Sequence, residues 1–230
     1  MGEIVRLHAK DGHTLDAYAA QPGVPTTAGL VIVQEIFGVN AHIRGVADRY
    51  ADEGFVTIAP ALFDRIEHGV DLKDDGDDRQ RAMALLSKFN IDKAVEDIAA
   101  AVEWLEGFGR FDGISIGVVG YCLGGTLAWL SAARLPIDAA VGYYGGRIAQ
   151  YLGERPKAPI ILHFGEQDQH IPQSEIDKIA KAYREVPIYT YPAGHAFNRE
   201  GSKGYDAASA ERARERTLAF LREHLKQNVK

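Results

Sequence analysis

The chain has one cysteine, two methionines and two tryptophans among 230 residues, and no apolar run long enough to span a bilayer. One cysteine excludes an internal disulfide or a thiolate-rich metal cluster, which leaves Cys122 as either a packed filler or a reactive thiol. Positive charge is not in excess. The 26 Lys and Arg face 32 Asp and Glu, a formal charge of −6 that argues against nucleic-acid binding and for a small-molecule partner. The opening residues Met1-Gly2-Glu3-Ile4-Val5-Arg6 lack the basic and apolar regions of a signal peptide, so a cytoplasmic protein without membrane attachment is expected. Internal repeats, a Ser/Gly linker and a convincing boundary are also missing, and residues 1–230 are read as a single domain. Nothing implies a cofactor. Other histidines, His163 and His170 among them, lack ligand spacing with a third partner, which argues against zinc.

What is present is alternation. Two strand-like runs, 4–8 and 14–20, joined at Asp11-Gly12, form an expected hairpin. Buried-strand patterns follow at 30–34, 56–59, 116–119, 140–144, 160–164 and 188–191, with helical periods at 43–52, 79–89, 92–106, 126–133, 174–183 and 207–224. Ser174 and Asp177 have capping-box spacing. Strand and helix alternating in this way predict an α/β fold: a mainly parallel central sheet, helices on both faces, and ligands at the carboxyl edge of the strands. The segment 71–78 holds five aspartates without calcium-loop spacing and reads as a solvated loop.

The strongest chemical signal is Gly120-Tyr121-Cys122-Leu123-Gly124-Gly125, between a strand pattern and a helix pattern. Glycines on either side permit a sharp strand-to-helix turn that lifts the central side chain above the sheet, and the helix N-terminus beneath it favours a thiolate. Cys122 is therefore the candidate nucleophile. Asp168 comes directly after one strand and His195 after the next, in the order nucleophile, acid, histidine that this turn requires. Taken singly, each has an ordinary reading: inert thiol, turn aspartate, loop histidine. Together, each at a strand exit, they predict a catalytic triad. The backbone N–H groups of Leu123 and Ile36 fall where two oxyanion donors are needed, and Glu35 places a carboxylate near the thiol. Tyr143 and Tyr144 finish a strand, with Tyr143 expected to face the substrate.

These residues, with Asp11-Gly12-His13-Thr14, Gln34-Glu35-Ile36-Phe37-Gly38-Val39-Asn40, Val141-Gly142-Tyr143-Tyr144-Gly145 and Ala193-Gly194-His195-Ala196-Phe197, give a chain that resembles the dienelactone hydrolases across nearly its whole length. These are cysteine members of the α/β-hydrolase superfamily. The resemblance implies an α/β-hydrolase fold, a Cys122–Asp168–His195 triad, a monomer, and a Glu35 that hydrogen-bonds the resting thiol until substrate displaces it. It also implies that Arg79 and Arg199 hold a substrate carboxylate, with Arg81 the neighbouring alternative to Arg79. Met83 and Leu86 stand where the family has aromatic residues, which leaves other lactones or activated aryl esters as an alternative substrate class. A thiol sensor on a hydrolase scaffold is the rival from outside enzymology.

Overall fold

The computed structural model of the chain describes residues 2–108 and 113–225. Eight strands form one sheet: β1 Glu3–His8, β2 Thr14–Ala20, β3 Ala28–Val33, β4 Val56–Pro60, β5 Ser115–Tyr121, β6 Ala139–Tyr143, β7 Ile160–Gly165 and β8 Ile188–Tyr191. Their order is β1-β2-β4-β3-β5-β6-β7-β8. The β1–β2 hairpin and the β2–β4 pair are antiparallel, and every pair from β4 through β3 to β8 is parallel. Parallel strands need crossovers, and the helical segments supply them: α1 Ala41–Asp52, α2 Gly76–Ser87, α3 Ile91–Glu106, α4 Leu123–Arg134, α5 Gln173–Ala182 and α6 Ala207–His224.

Side-chain alternation along β5 shows that both faces are covered. A Cβ at Gly117 would meet Leu221 and Leu225 at the end of α6, whereas one at Gly120 would meet the first turn of α4. Residues three apart on a strand point to opposite faces, so α6 and α4 lie on opposite sides of the sheet. Glu53, at the end of α1, pairs with Arg214 and Arg222 of α6, which ties α1 to the α6 face. α4 is buried along residues 123–133 and carries no polar stripe, as a helix enclosed on all sides should. All six β3 residues are likewise buried, which explains its continuous apolar run.

Most element boundaries depart only slightly from those read in the sequence. α2 begins at Gly76, with Asp77 and Asp78 in its first turn near the positive end of the helix dipole. α4 begins at Leu123, immediately after the cysteine. The capping box at Ser174 does not form: Pro172 is the N-cap of α5, and Asp177 instead accepts from Gln173 Nε2 at 2.9 Å. Pro172 presets the entry to the helix, leaving Ser174 already inside its first turn. Among the described residues no helix is long and apolar enough to cross a membrane.

Candidate active site

Parallel strands deliver their carboxyl ends to one edge, and four of them deliver the chemistry. β5 runs directly into Cys122, which has φ 54° and ψ −110°, a conformation that side chains other than glycine seldom adopt. Two glycines make the turn possible. A Cβ at Gly120 would strike the Gly124 carbonyl, and one at Gly124 would strike the Val33 carbonyl. The turn is stitched on both sides, by Cys122 N–H donating to the Tyr143 carbonyl at 3.0 Å and Gly124 N–H to the Gln34 carbonyl at 3.1 Å.

β7 leads into Asp168, which is buried, and β8 leads into the loop carrying His195. His195 Nδ1 lies 2.7 Å from Asp168 Oδ2, and Nε2 lies 3.2 Å from Cys122 Sγ. The other carboxylate oxygen of Asp168 accepts the His170 backbone N–H at 2.8 Å, so the aspartate is held from both sides. Burial works against a charged His195, but hydrogen bonds to Asp168 and Cys122 outweigh it and raise its pKa to about 10. Cys122 contributes to that rise both through its hydrogen bond and through charge attraction. A protonated imidazole beside the sulfur is thereby favoured.

The amides of Ile36 and Leu123 stand free: among the described residues neither donates to a protein acceptor. Leu123 opens α4, where the first N–H groups of a helix have no partner within it. Ile36 lies in the loop after β3, and the buried Gln34 side chain braces that loop. Its Nε2 donates to the Glu35 carbonyl at 3.1 Å, and its Oε1 accepts from Leu62 N–H at 3.0 Å.

Three expectations require correction. Glu35 makes no hydrogen bond to Cys122 among the described residues; Oε2 accepts from Arg199 Nη1 at 2.5 Å, and Oε1 is buried without a partner. The thiol turns to His195, and the guanidinium takes the carboxylate. Burial raises the pKa of Glu35 above the usual carboxylate range, and the neighbouring Arg199 and His195 pull against that shift. Tyr143 does not face the site either. It closes β6 fully buried, and its hydroxyl bonds Thr217 Oγ1 of α6 at 2.7 Å, so only its backbone carbonyl serves the elbow. Tyr144 faces the site instead. Just past the strand end it takes φ 39°, which turns its ring edge-on to His195 at 5.1 Å between centroids. Its buried hydroxyl has no hydrogen-bond partner among the described residues.

Thirdly, the aspartate-rich segment is more than a solvated loop. Asp74 accepts from Arg79 Nη1 at 2.8 Å through Oδ1 and from Arg199 Nη2 through Oδ2. Asp71 pairs with Arg44 at 2.9 Å. Arg79 and Arg199 both line a cleft of about 640 Å³ with Asp74, His170, His195 and Tyr205. Arg81 pairs with Glu67 and does not line that cleft. Met83 is exposed. Asp74 and His170 are site neighbours that the sequence reading did not single out as functional. No spacing rule links residue 74 to residue 199.

The described residues hold one group of metal-ligand type, Asp16, Asp64 and His68. The two nitrogens of His68 face different carboxylates, at 3.3 Å from Asp16 and 3.1 Å from Asp64, so the ring bridges the pair.

A family model described as the dienelactone hydrolase family matches residues 15–225. A carboxymethylenebutenolidase from Pseudomonas putida is 37% identical over 227 residues, covering 95% of each chain. Carboxymethylenebutenolidase 1 from Cupriavidus pinatubonensis is 30% identical, covering 94% of this chain and 95% of its own. A crystal structure from Klebsiella pneumoniae, described as a candidate dienelactone hydrolase, superposes with a TM-score of 0.81 at 29% identity over 96% of this chain and 98% of that one.

Proposed function

The chain belongs to the dienelactone hydrolase family, and from that membership we propose that it opens a carboxylated enol-lactone through a thioester on Cys122. Membership makes it a hydrolase of esters and lactones with an α/β-hydrolase fold. The observation that carries the finer reading is the line Cys122 Sγ, His195, Asp168, with contacts of 3.2 and 2.7 Å.

In the proposed cycle, the substrate carboxylate meets Arg79 and Arg199 at the cleft, which orients the ring carbonyl over Cys122. The thiolate adds to that carbon, and the carbonyl electron pair moves to oxygen, held by the N–H groups of Ile36 and Leu123. Collapse breaks the ring C–O bond. The leaving enolate takes the His195 proton and ketonises, which leaves a neutral imidazole beside a thioester. Water then gives a proton to His195 as its oxygen attacks, the thiolate departs, and the acid product ionises to solvent, restoring the starting pair. Sulfur suits an enol-lactone because the enolate leaves readily. A plain alkyl ester would return from the adduct by losing thiolate. When the resting sulfur carries its proton, Glu35 accepts that proton as substrate draws Arg199 away, and hands it back to the sulfur when product leaves and the guanidinium returns.

The test is turnover of dienelactone to maleylacetate by wild type and Cys122→Ala. Loss of turnover in a variant with unchanged circular dichroism supports the reading, and undiminished turnover refutes it. The Asp74 carboxylate already bound to both Arg79 and Arg199 favours one second reading: the same triad acting on activated aryl esters without a carboxylate. A substrate panel with and without that carboxylate separates the two.

A further inference from the structure

We propose that Gln34 is a positioning residue for the oxyanion site, acting through the peptide that joins Glu35 to Ile36. The inference rests on the thioester reading above, and its test is chosen to fail separately from that reading.

Gln34 is fully buried just past the end of β3, and its backbone carbonyl and both side-chain polar groups are engaged around the elbow. Its backbone carbonyl accepts Gly124 N–H at 3.1 Å, which ties it to the first turn of α4. Its side-chain carbonyl accepts Leu62 N–H at 3.0 Å, and its side-chain NH₂ donates to the Glu35 carbonyl at 3.1 Å. The amide orientation is unambiguous, because a backbone N–H can only donate and a backbone carbonyl can only accept. Leu62 opens a short helical turn, Leu62–Arg65, after β4. The side chain is thus anchored to the turn that follows β4.

The Glu35 carbonyl and the Ile36 N–H belong to the same peptide unit. No described peptide bond is cis, so this unit is planar with its N–H and C=O pointing in opposite directions. Fixing the carbonyl therefore fixes the direction of the free N–H. Without the Gln34 donor, that peptide could rotate between φ and ψ of its flanking residues, and the Ile36 N–H would point at the oxyanion for only part of the time. Preorganisation is what gives such donors their effect, since a donor that must reorient during reaction loses much of it. Gln34 also connects the two donors, because its own carbonyl holds Gly124, the residue after Leu123.

The experiment compares two reactions of the same sulfur. Acylation by 4-nitrophenyl acetate passes through an oxyanion, whereas alkylation by iodoacetamide does not. Gln34→Met keeps the side-chain length and removes the donor. The expected result is single-turnover acylation slowed about ten- to thirtyfold, a fraction of the ~10²–10³ that deletion of a whole oxyanion donor costs, with alkylation within about twofold of wild type. Gln34→Leu likewise removes the donor at similar side-chain size and serves as the second variant; should only one of the pair fold, that one decides. Acylation at the wild-type rate in a folded variant overturns the proposal. So does an equal fall in acylation and alkylation, which would mean a general distortion of the elbow. Failure of the underlying reading looks different: ester turnover would persist in Cys122→Ala.

Discussion

Arg79 and Arg199 share a counter-ion, each bound to a different oxygen of the Asp74 carboxylate. An internal carboxylate thus already occupies the guanidinium pair to which the proposed reaction assigns the substrate's carboxylate. Binding becomes an exchange of one anion for another, and the affinity for a carboxylated substrate is a difference between two similar interactions.

Asp74→Asn should therefore lower KM for a carboxylated lactone about three- to tenfold, corresponding to roughly 1 kcal/mol, and leave KM for a neutral aryl ester unchanged. Arg79→Ala should raise KM for the carboxylated substrate alone. Steady-state kinetics on the two substrates checks both, and parallel shifts on both substrates would remove the clamp from the scheme.

Arg199 differs from Arg79 in being buried, with Glu35 buried against it. Arg199→Met leaves that carboxylate without its partner and should cost about 3–5 kcal/mol in urea unfolding. The sign of the pH dependence follows from Glu35. Its folded pKa is already raised by burial, and removing Arg199 takes away an opposing influence and raises it further. A folded state that binds more protons than the unfolded one loses stability as pH rises. The deficit of Arg199→Met should accordingly be smallest in acid, where Glu35 is neutral, and grow as pH rises through its titration. A deficit independent of pH would show that Arg199 does not hold the Glu35 pKa down.

His195 should remain protonated in the resting protein until pH approaches about 10. Alkylating Cys122 removes the sulfur's share of that shift, so the imidazole should titrate at a lower pH in the modified protein, as measured by NMR. Because the folded pKa lies above the ordinary histidine value of 6.5, the associated stabilisation is complete below that value and is lost as pH rises towards 10. Wild type and Cys122→Ala should differ most in stability at the acid end of this window and converge towards its alkaline end. Identical histidine titrations before and after alkylation would contradict the thiol–imidazole coupling.

Asp168→Asn should preserve the fold, since Asn Oδ1 can still accept the His170 N–H. It should nonetheless reduce kcat by about 10²–10⁴ by presenting an N–H to Nδ1 and reversing the imidazole tautomer. The lost carboxylate would also lower the pKa of His195. Iodoacetamide alkylation at neutral pH should slow, which makes the effect visible without substrate.

The sequence carried the parts of this site whose geometry is local. Gly120 and Gly124 announce a turn too tight for any side chain, and Asp168 and His195 follow strands whose apolar runs are plain. Eight strands and six helices lay close to their expected places for the same reason. Contacts between distant segments were not legible. Asp74 reaches Arg199 across 125 positions, and Arg199 in turn reaches Glu35 across 164, which gives Glu35 a guanidinium partner in place of the thiol. The choice of Tyr144 over Tyr143 depended on one residue: β6 ends at Tyr143, and the positive φ that follows breaks the alternation. The Ser174 cap failed because Pro172 starts the helix earlier than the Ser-x-x-Asp spacing suggests.

The described residues other than glycine with positive φ are Cys122, Tyr144 and Ala196, and all three lie at or beside the contact between Cys122 and His195. At roughly 1–3 kcal/mol apiece, they make this rim the least comfortable stretch of backbone in an otherwise relaxed scaffold. Replacing each by glycine would ease that tension, yet at position 122 the thiol itself would vanish. Selection for heat tolerance alone would thus drive the chain away from reactivity, and more robust descendants of this protein should carry their compensating substitutions far from these corners.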